Sequence, residues 1–184
     1  MNKPITNLDV SRRGFVKGAA GLTFSFALSG ALLGRPSEAY AAEGTKLNAW
    51  VTIAADNTIT ILCPTSEMGQ GVLTSLPLIL AEELDADWSK VKCELAPGNP
   101  KLFSGAHKMF PGAQVTLASV SVPAYYMPLR TAGAQARKVL LDNVAAEWKV
   151  PVAELTTDKS TVIHAKSKRR ISYGDVVKFA NVPD

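Results

Sequence analysis

Cysteine and histidine are scarce in this 184-residue chain, two of each, and that scarcity removes several chemistries. An iron–sulfur cluster needs about four suitably placed thiolates; with only Cys63 and Cys93, and no C-x-x-C spacing, a cluster of the chain's own is excluded. Cys63 closes an apolar strand and Cys93 alternates with Val91 and Leu95, which is the pattern of buried small hydrophobes; a disulfide between the two after export is the alternative. His107 falls in a loop and His164 in a hairpin strand. Each stands alone and is read as incidental, so neither histidine is expected to act as a base or a metal ligand. A large charge of one sign is lacking as well. The formal net charge is +4, but residues 1–41 hold five basic residues (Lys3, Arg12, Arg13, Lys17, Arg35) against Asp9 and Glu38, leaving 15 basic and 14 acidic residues beyond them. That near balance argues against a nucleic-acid partner. One basic run, Lys166-Ser167-Lys168-Arg169-Arg170, reads as a solvated hairpin edge, with an acidic partner surface as the alternative.

What is present begins with a leader. Ser11-Arg12-Arg13-Gly14-Phe15-Val16-Lys17 is a twin-arginine pattern, Gly18 to Leu33 is apolar, and Ala39-Tyr40-Ala41 offers a small-x-small cleavage site. Residues 1–41 are therefore expected to be a signal peptide and 42–184 the mature domain, in the periplasm. A retained membrane anchor is the rival, but the apolar stretch is short for a span, rich in Gly, Ser and Ala, and ends in Gly34-Arg35-Pro36. The twin-arginine route moves folded proteins, commonly those loaded with a cofactor in the cytoplasm, so the leader itself predicts a cofactor protein.

After the leader, Leu47 to Ile53 and Thr58 to Leu62 alternate around the turn Ala54-Ala55-Asp56-Asn57 and predict a β-hairpin, ended by Pro64. The loop Ser66-Glu67-Met68-Gly69-Gln70-Gly71-Val72-Leu73-Thr74 follows. Glycines around one amide leave backbone N–H groups uncovered, and a helix capped by Thr74 or Ser75, with Pro77 in its first turn, directs its positive end there. Gly69, Gln70 and Gly71 are thus candidate ligand-binding residues, with Gln70 both donor and acceptor. Glu67 beside them is read as structural. Leu76, Leu80, Ala81 and Leu84 have helical spacing; Val91 to Leu95 is a third strand; 96–116 reads as one long loop.

The run Thr116-Leu117-Ala118-Ser119-Val120-Ser121-Val122 then leads into the longest helix, periodic from Tyr126 to Trp148. Thr156 to Lys159, Thr161 to His164 and Arg170-Ile171 read as short strands. Ser172-x-x-Asp175 caps a last helix through about Ala180. The order gives an α+β fold, a short hairpin and strands packed with one medium and one long helix, without internal repeat.

From about Leu47 to the end, and most specifically in Glu67 to Thr74, Leu76-Pro77, Ala81-Glu82-Glu83-Leu84-Asp85-Ala86-Asp87-Trp88 and Val91, the chain resembles the molybdopterin-binding subunit of the xanthine dehydrogenase and aldehyde oxidase family. The branch it resembles is that of isoquinoline 1-oxidoreductase, and the stretch is similar to the family's N-terminal part. The resemblance implies a partial molybdopterin-binding domain of a molybdenum hydroxylase that oxidises an aldehyde or N-heterocycle with water-derived oxygen. It implies molybdopterin, in the cytosine dinucleotide form, held by Gly69, Gln70 and Gly71 and, carried across one by one, by Ala118, Ser119, Val120 and Ser121. The protein's part in such enzymes is to hold and orient the organic cofactor. It further implies, as partners, the remainder of the molybdopterin subunit and a small subunit carrying the iron–sulfur clusters, with a c-type cytochrome among the candidates. The family's catalytic glutamate lies farther along a full-length subunit and has no counterpart here, so the chain is expected to be inactive alone. Pro111-Gly112-Ala113-Gln114-Val115 departs from the glycine-rich wording of that branch. Two other readings compete: a small stand-alone periplasmic binding or interaction domain derived from the family, and an unrelated phosphate-binding module using only the Gly-Gln-Gly turn.

Overall fold

A computed structural model describes residues 21–25 and 49–182. Its central feature is a four-stranded sheet of order β1-β2-β3-β4. Strands β2 (Ala49–Ala54) and β3 (Ile59–Cys63) form the expected antiparallel hairpin, in register Val51↔Ile61 and Ile53↔Ile59. The turn closes through Ala54 N–H donating to the Thr58 carbonyl at 2.9 Å, with Asn57 left-handed at φ 69, a conformation asparagine tolerates. β3 stops at Cys63, because Pro64 has no N–H to continue the ladder. Strand β1 (Gly21–Ser25) pairs antiparallel with the far edge of β2, and it lies inside the apolar stretch from Gly18 to Leu33.

Helix α1 (Val72–Leu84) carries the chain back so that β4 (Val91–Leu95) pairs parallel with β3, Ile61 opposite Cys93. The helix starts at Val72, not Thr74: left-handed Gly71 is its N-cap residue and accepts from the amides of Thr74 and Ser75 at 3.2 and 3.0 Å. Pro77 consequently lies beyond the first turn, where its missing N–H costs a helical bond. β4 is an edge strand guarded by exposed Lys92 and Glu94. Cys63 is buried but Cys93 only half-buried, and Leu95 is exposed, so the expected inner face of β4 is incomplete. Both thiols are free. Cys63 pairs in register with Leu95 rather than Cys93, and such diagonal neighbours sit about 7–8 Å apart, too far for a bridge without backbone movement. Burial pushes both thiols up.

The long loop is less open than its composition predicts. It contains a short helix α2 (Pro100–Phe103) that drives Phe103 into the core against Trp50. The long helix α3 (Ser121–Trp148) starts five residues before Tyr126, with Pro123 in its first turn. Inside the helix, Pro128 cannot bond the carbonyl of Ala124. That carbonyl accepts instead from Ala106 N–H at 2.9 Å, while Tyr125 donates its hydroxyl to the Phe103 carbonyl at 2.6 Å. The helical irregularity is thus what ties the loop down.

Helices α1 and α3 pack side by side. Ser75 and Leu78 share a groove with Tyr126, Glu83 pairs with Arg130, and Leu80 lies beneath Gly133, so the two helices run in the same direction. Their N-termini therefore gather at the end of the unit where β3 and β4 finish. Leu76, Leu80 and Leu84 of α1 and Leu129, Ala132, Ala136, Leu140 and Val144 of α3 fill the core with Val51, Ile53, Ile59 and Ile61.

A second sheet of order β5-β6-β7 (Leu155–Asp158, Thr161–His164, Arg169–Ser172) is an antiparallel meander. It is fastened to the first unit by Ser160, whose N–H reaches the Asp85 carbonyl at 2.8 Å and whose Oγ accepts from Asp87 N–H at 2.7 Å, and by Tyr173, whose hydroxyl donates to the Leu84 carbonyl at 2.8 Å. Ser172 caps helix α4 (Tyr173–Val176) as its spacing predicts. The helix ends at Val176 rather than near Ala180: beyond it bonds of three- and four-residue spacing mix, and Asn181 N–H is drawn to Asn143 of α3 at 2.8 Å. The architecture is α+β as expected. The parallel β3-α1-β4 unit is the part that strand alternation did not reveal.

Candidate cofactor-binding site

The Gly69-Gln70-Gly71 loop leaves the carboxyl end of β3 and enters α1. Gly69 and Gly71 have φ 96 and 83, and a Cβ at either would meet nothing within 4 Å, so their outward faces are open. The inward amides are not free. Glu67 folds over them: Oε1 accepts from Gly69 N–H at 2.7 Å and Gly71 N–H at 3.0 Å, and Oε2 from Leu73 N–H at 2.9 Å. Glu67 is structural, as expected, and more specifically it is the anion in the nest that the glycine turn and helix end create. Bonds from Leu73, then Gly71, hold its carboxyl below the ordinary glutamate range. Gln70 is also engaged, accepting from Met68 N–H at 2.6 Å and donating to the Ser66 carbonyl at 2.8 Å.

The donor set decides what this loop can hold. An incoming phosphate would have to displace Glu67 or lie against it, and like charges repel. The open face offers glycine backbone and the remaining donor and acceptor capacity of an amide, which suits the edge of a neutral polar heterocycle. Sequence reasoning left both a phosphate and a heterocycle open here; the Glu67 contacts favour the heterocycle.

The second segment has the opposite character. Ala118 and Ser119 are exposed and both left-handed, at φ 49 and 56. Val120, the residue before α3, makes no side-chain cap, and the first turn holds no acidic residue. Among the described residues, the amides of Ala118, Ser119, Ser121 and Val122 donate to no hydrogen-bond partner. Ser121 is 9% exposed and its hydroxyl likewise has no partner among the described residues. An uncapped 28-residue helix with free first-turn amides is the place for an anion. Val120 is buried, so it contributes backbone and packing rather than a side chain facing a ligand.

The two segments meet. Ser66 N–H donates to Thr116 Oγ1 at 2.9 Å, joining the chain one residue before Glu67 to the chain two residues before Ala118. Gln114 completes the join, its amide donating to the carbonyls of Pro64 at 2.8 Å and Pro97 at 3.3 Å and accepting from Asn99 N–H at 2.8 Å. The stretch that departs from the family's glycine-rich wording thus supplies the clamp between the loops. Beside this join lies a crevice of about 330 Å³ lined by Thr65, Ser66, Leu95, Gly98, Gln114 and Thr116; none of Gly69 to Gly71 or Ala118 to Ser121 is part of its lining. It sits beyond the carboxyl ends of parallel strands, where open α/β sheets bind ligands. Sequence reasoning missed Gln114 and Thr116; a lone amide and a lone hydroxyl fifteen to fifty residues from their partners leave no periodic signal.

The histidines lie elsewhere. His107 packs on Phe110 and accepts from Met109 N–H at 3.3 Å, outside the crevice lining. His164 is buried in the second sheet between Glu154 at 2.9 Å and Ser167 at 2.7 Å, a satisfied core histidine.

The geometry, with two small-residue turns at helix starts beside a parallel strand pair, defines an α+β domain that presents turn backbone on one side. Residues 8–183 match the molybdopterin cofactor-binding domain family. The chain belongs to this family, as part of a molybdopterin-binding subunit of the xanthine dehydrogenase type. It is 39% identical over 178 residues to the isoquinoline 1-oxidoreductase subunit beta of Brevundimonas diminuta, covering 95% of this chain and 22% of that one. It is 33% identical over 183 residues to the membrane-bound aldehyde dehydrogenase [pyrroloquinoline-quinone] of Gluconacetobacter polyoxogenes, covering 91% and 21%. Quinoline 2-oxidoreductase from Pseudomonas putida 86 superposes with a TM-score of 0.43 at 17% identity, over 69% of this chain and 15% of that one. The chain spans about a fifth of the length of the curated relatives it matches.

One consequence of the Glu67 contacts concerns pH. A carboxyl whose folded pKa is depressed stabilises the fold above its unfolded value, near 4.3, and that contribution is lost as pH falls through the folded value. The protection of the Gly69, Gly71 and Leu73 amides, taken relative to the intrinsic exchange rate at each pH, is therefore expected to fall in acid, below the ordinary glutamate range. In Glu67→Gln the same amides should have low protection already at neutral pH, with little further change of protection in acid. Equal protection in both proteins at neutral pH counts against the nest.

Proposed function

We propose that this chain is the cofactor-holding portion of a periplasmic molybdenum hydroxylase acting on an aldehyde or N-heterocycle, inactive without the rest of its subunit. The observation that carries it is the Ser66–Thr116 bond, which ties together the chain just before the two segments of complementary character. The molybdopterin, when bound, supplies the redox centre at which a water-derived oxygen is inserted. Gly69, Gln70 and Gly71 receive the uncharged ring portion against their open backbone. Ala118, Ser119 and Ser121, with the start of α3, receive the phosphate portion of a cytosine dinucleotide form, and Val120 fixes that turn by packing inward. Glu67 keeps anions away from the first loop and so sets which end of the cofactor lies where.

The remainder of the molybdopterin subunit would cover the groove of about 510 Å³ between α1 and α3, whose rim exposes Leu78 and Tyr126, with Val122 and Met127 beside it on the outer face of α3. Electrons would leave through iron–sulfur clusters on a small partner subunit, and a c-type cytochrome is a candidate acceptor.

The test is molybdenum and pterin content per folded complete subunit. Ser121→Ala is expected to lower it only modestly, since one hydrogen bond is worth about 1 kcal/mol net and neighbouring amides remain. His107→Ala should leave it unchanged. Loss of cofactor confined to His107→Ala, or a wild-type subunit that folds without ever taking up pterin, overturns the assignment.

Export follows the same reading. In Arg12→Lys/Arg13→Lys the paired planar guanidiniums become point charges that do not copy their donor geometry. The double variant is expected to remain in the cytoplasm, checked by fractionation; unchanged export removes the twin-arginine route.

A further inference from the structure

An address that is removed on arrival has no need of a place in the fold, yet Gly21–Ser25 has one. It forms β1, antiparallel to β2 in register Gly21↔Ala54, Leu22↔Ile53, Thr23↔Thr52 and Phe24↔Val51, with a shift before Ser25↔Ala49. Nearly the whole outer edge of β2 is thereby paired.

The composition of β2 favours a covered edge, and the similarity to relatives reaches the segment that covers it. Its sequence, Ala49-Trp50-Val51-Thr52-Ile53-Ala54, has no charge and no proline. The opposite edge strand β4 alternates apolar residues with Lys92 and Glu94, the devices that keep an exposed edge from pairing with strangers. β2 thus has the composition of an interior strand, and without β1 it would be an edge. Furthermore, the family match begins at residue 8, and the isoquinoline 1-oxidoreductase relative aligns over 95% of this chain, so similarity extends through the leader.

We propose that the apolar segment of the leader is a permanent edge strand of this domain, serving first in the export signal and then as the cover of β2, and that the exported protein retains it. Cleavage after Ala41, which the Ala-Tyr-Ala pattern predicts, would strip a strand from the sheet and leave an undefended edge. Arg12 and Arg13 act as the address; Gly21–Ser25 acts as structure.

The proposal is tested on the full chain by amide exchange and by the N-terminus of exported material, neither of which depends on bound cofactor. The alternate amides of Ala49–Ala54 directed away from β3 should be protected to a degree comparable with those directed toward it. In Thr23→Pro, where a ladder position is lost, their exchange should rise by about tenfold or more while the β3-facing amides change little. In Arg12→Lys/Arg13→Lys the location should change and the protection should not. Intact mass of exported protein should place its N-terminus before Gly21. Unprotected outer amides in the wild-type chain, or exported protein that begins at Ala42, overturns the proposal; either result leaves the cofactor assignment standing.

Discussion

Gly71→Val is expected to empty the complete subunit of its cofactor while leaving most of the fold intact. Gly71 sits at φ 83, where a side chain is strained by about 1–2 kcal/mol and a β-branched one resists further. Within the chain the added side chain meets nothing within 4 Å, so no core contact is lost. The damage is local. Gly71 donates to Glu67 at 3.0 Å and accepts from Thr74 and Ser75, and rotating it out of the left-handed region breaks the nest and the start of α1 together. Its open face is also the space assigned to the uncharged part of the cofactor. Molybdenum and pterin per folded subunit should fall by about tenfold or more, the equivalent of about 1.4 kcal/mol of binding. Full occupancy in this variant would remove Gly69 to Gly71 from the site.

Gly133→Val is expected to prevent folding, and even Gly133→Ala should destabilise. An exposed helix would gain about 1 kcal/mol from alanine in place of glycine. At this crossing the new Cβ would overlap the carbonyl oxygen of Leu80 and come within 2.9 Å of Glu83 Cβ. Overpacking of that kind costs about 1–3 kcal/mol, and a backbone carbonyl in the middle of α1 yields less than a side chain does. The clash therefore outweighs the propensity. Thermal unfolding of the full chain checks the sign: a Gly133→Ala protein more stable than wild type would mean that α1 and α3 do not approach here. The effect reaches function because this contact fixes the shared direction of the two helices, and hence the gathering of their N-termini at one end of the unit.

The same distinction between local and distant causes explains what could be read beforehand. The twin-arginine pattern, the hairpin around Ala54 to Asn57, the stop at Pro64, the glycine turn before a helix and the Ser172 cap are each set by residues within a few positions of one another. Short-range backbone preferences determine such features, and the amino-acid order contains them whole. Helical periodicity likewise located α1 and α3, although both start earlier than periodicity predicts, at Gly71 by a left-handed cap and at Ser121 by ordering of a run with no apolar stripe.

What only the tertiary structure decided are the pairings across long separations. That β4 lies parallel to β3, that Ser66 reaches Thr116 and Gln114 reaches Pro64, each fifty residues away, and that Ser160 locks the second sheet to Asp85 and Asp87 follow from packing of the whole domain. The occupancy of the glycine nest belongs to this class too, although Glu67 is only two residues from Gly69. A glutamate can turn out to water or fold inward, and its three amide partners converge only once Gly69, Gly71 and α1 have taken their places. The sequence by itself determined the family and the residues of the two turns. The fold determined which turn is left for an anion and which already holds one, because a hydrogen-bond donor is available to a ligand only if the chain has not used it.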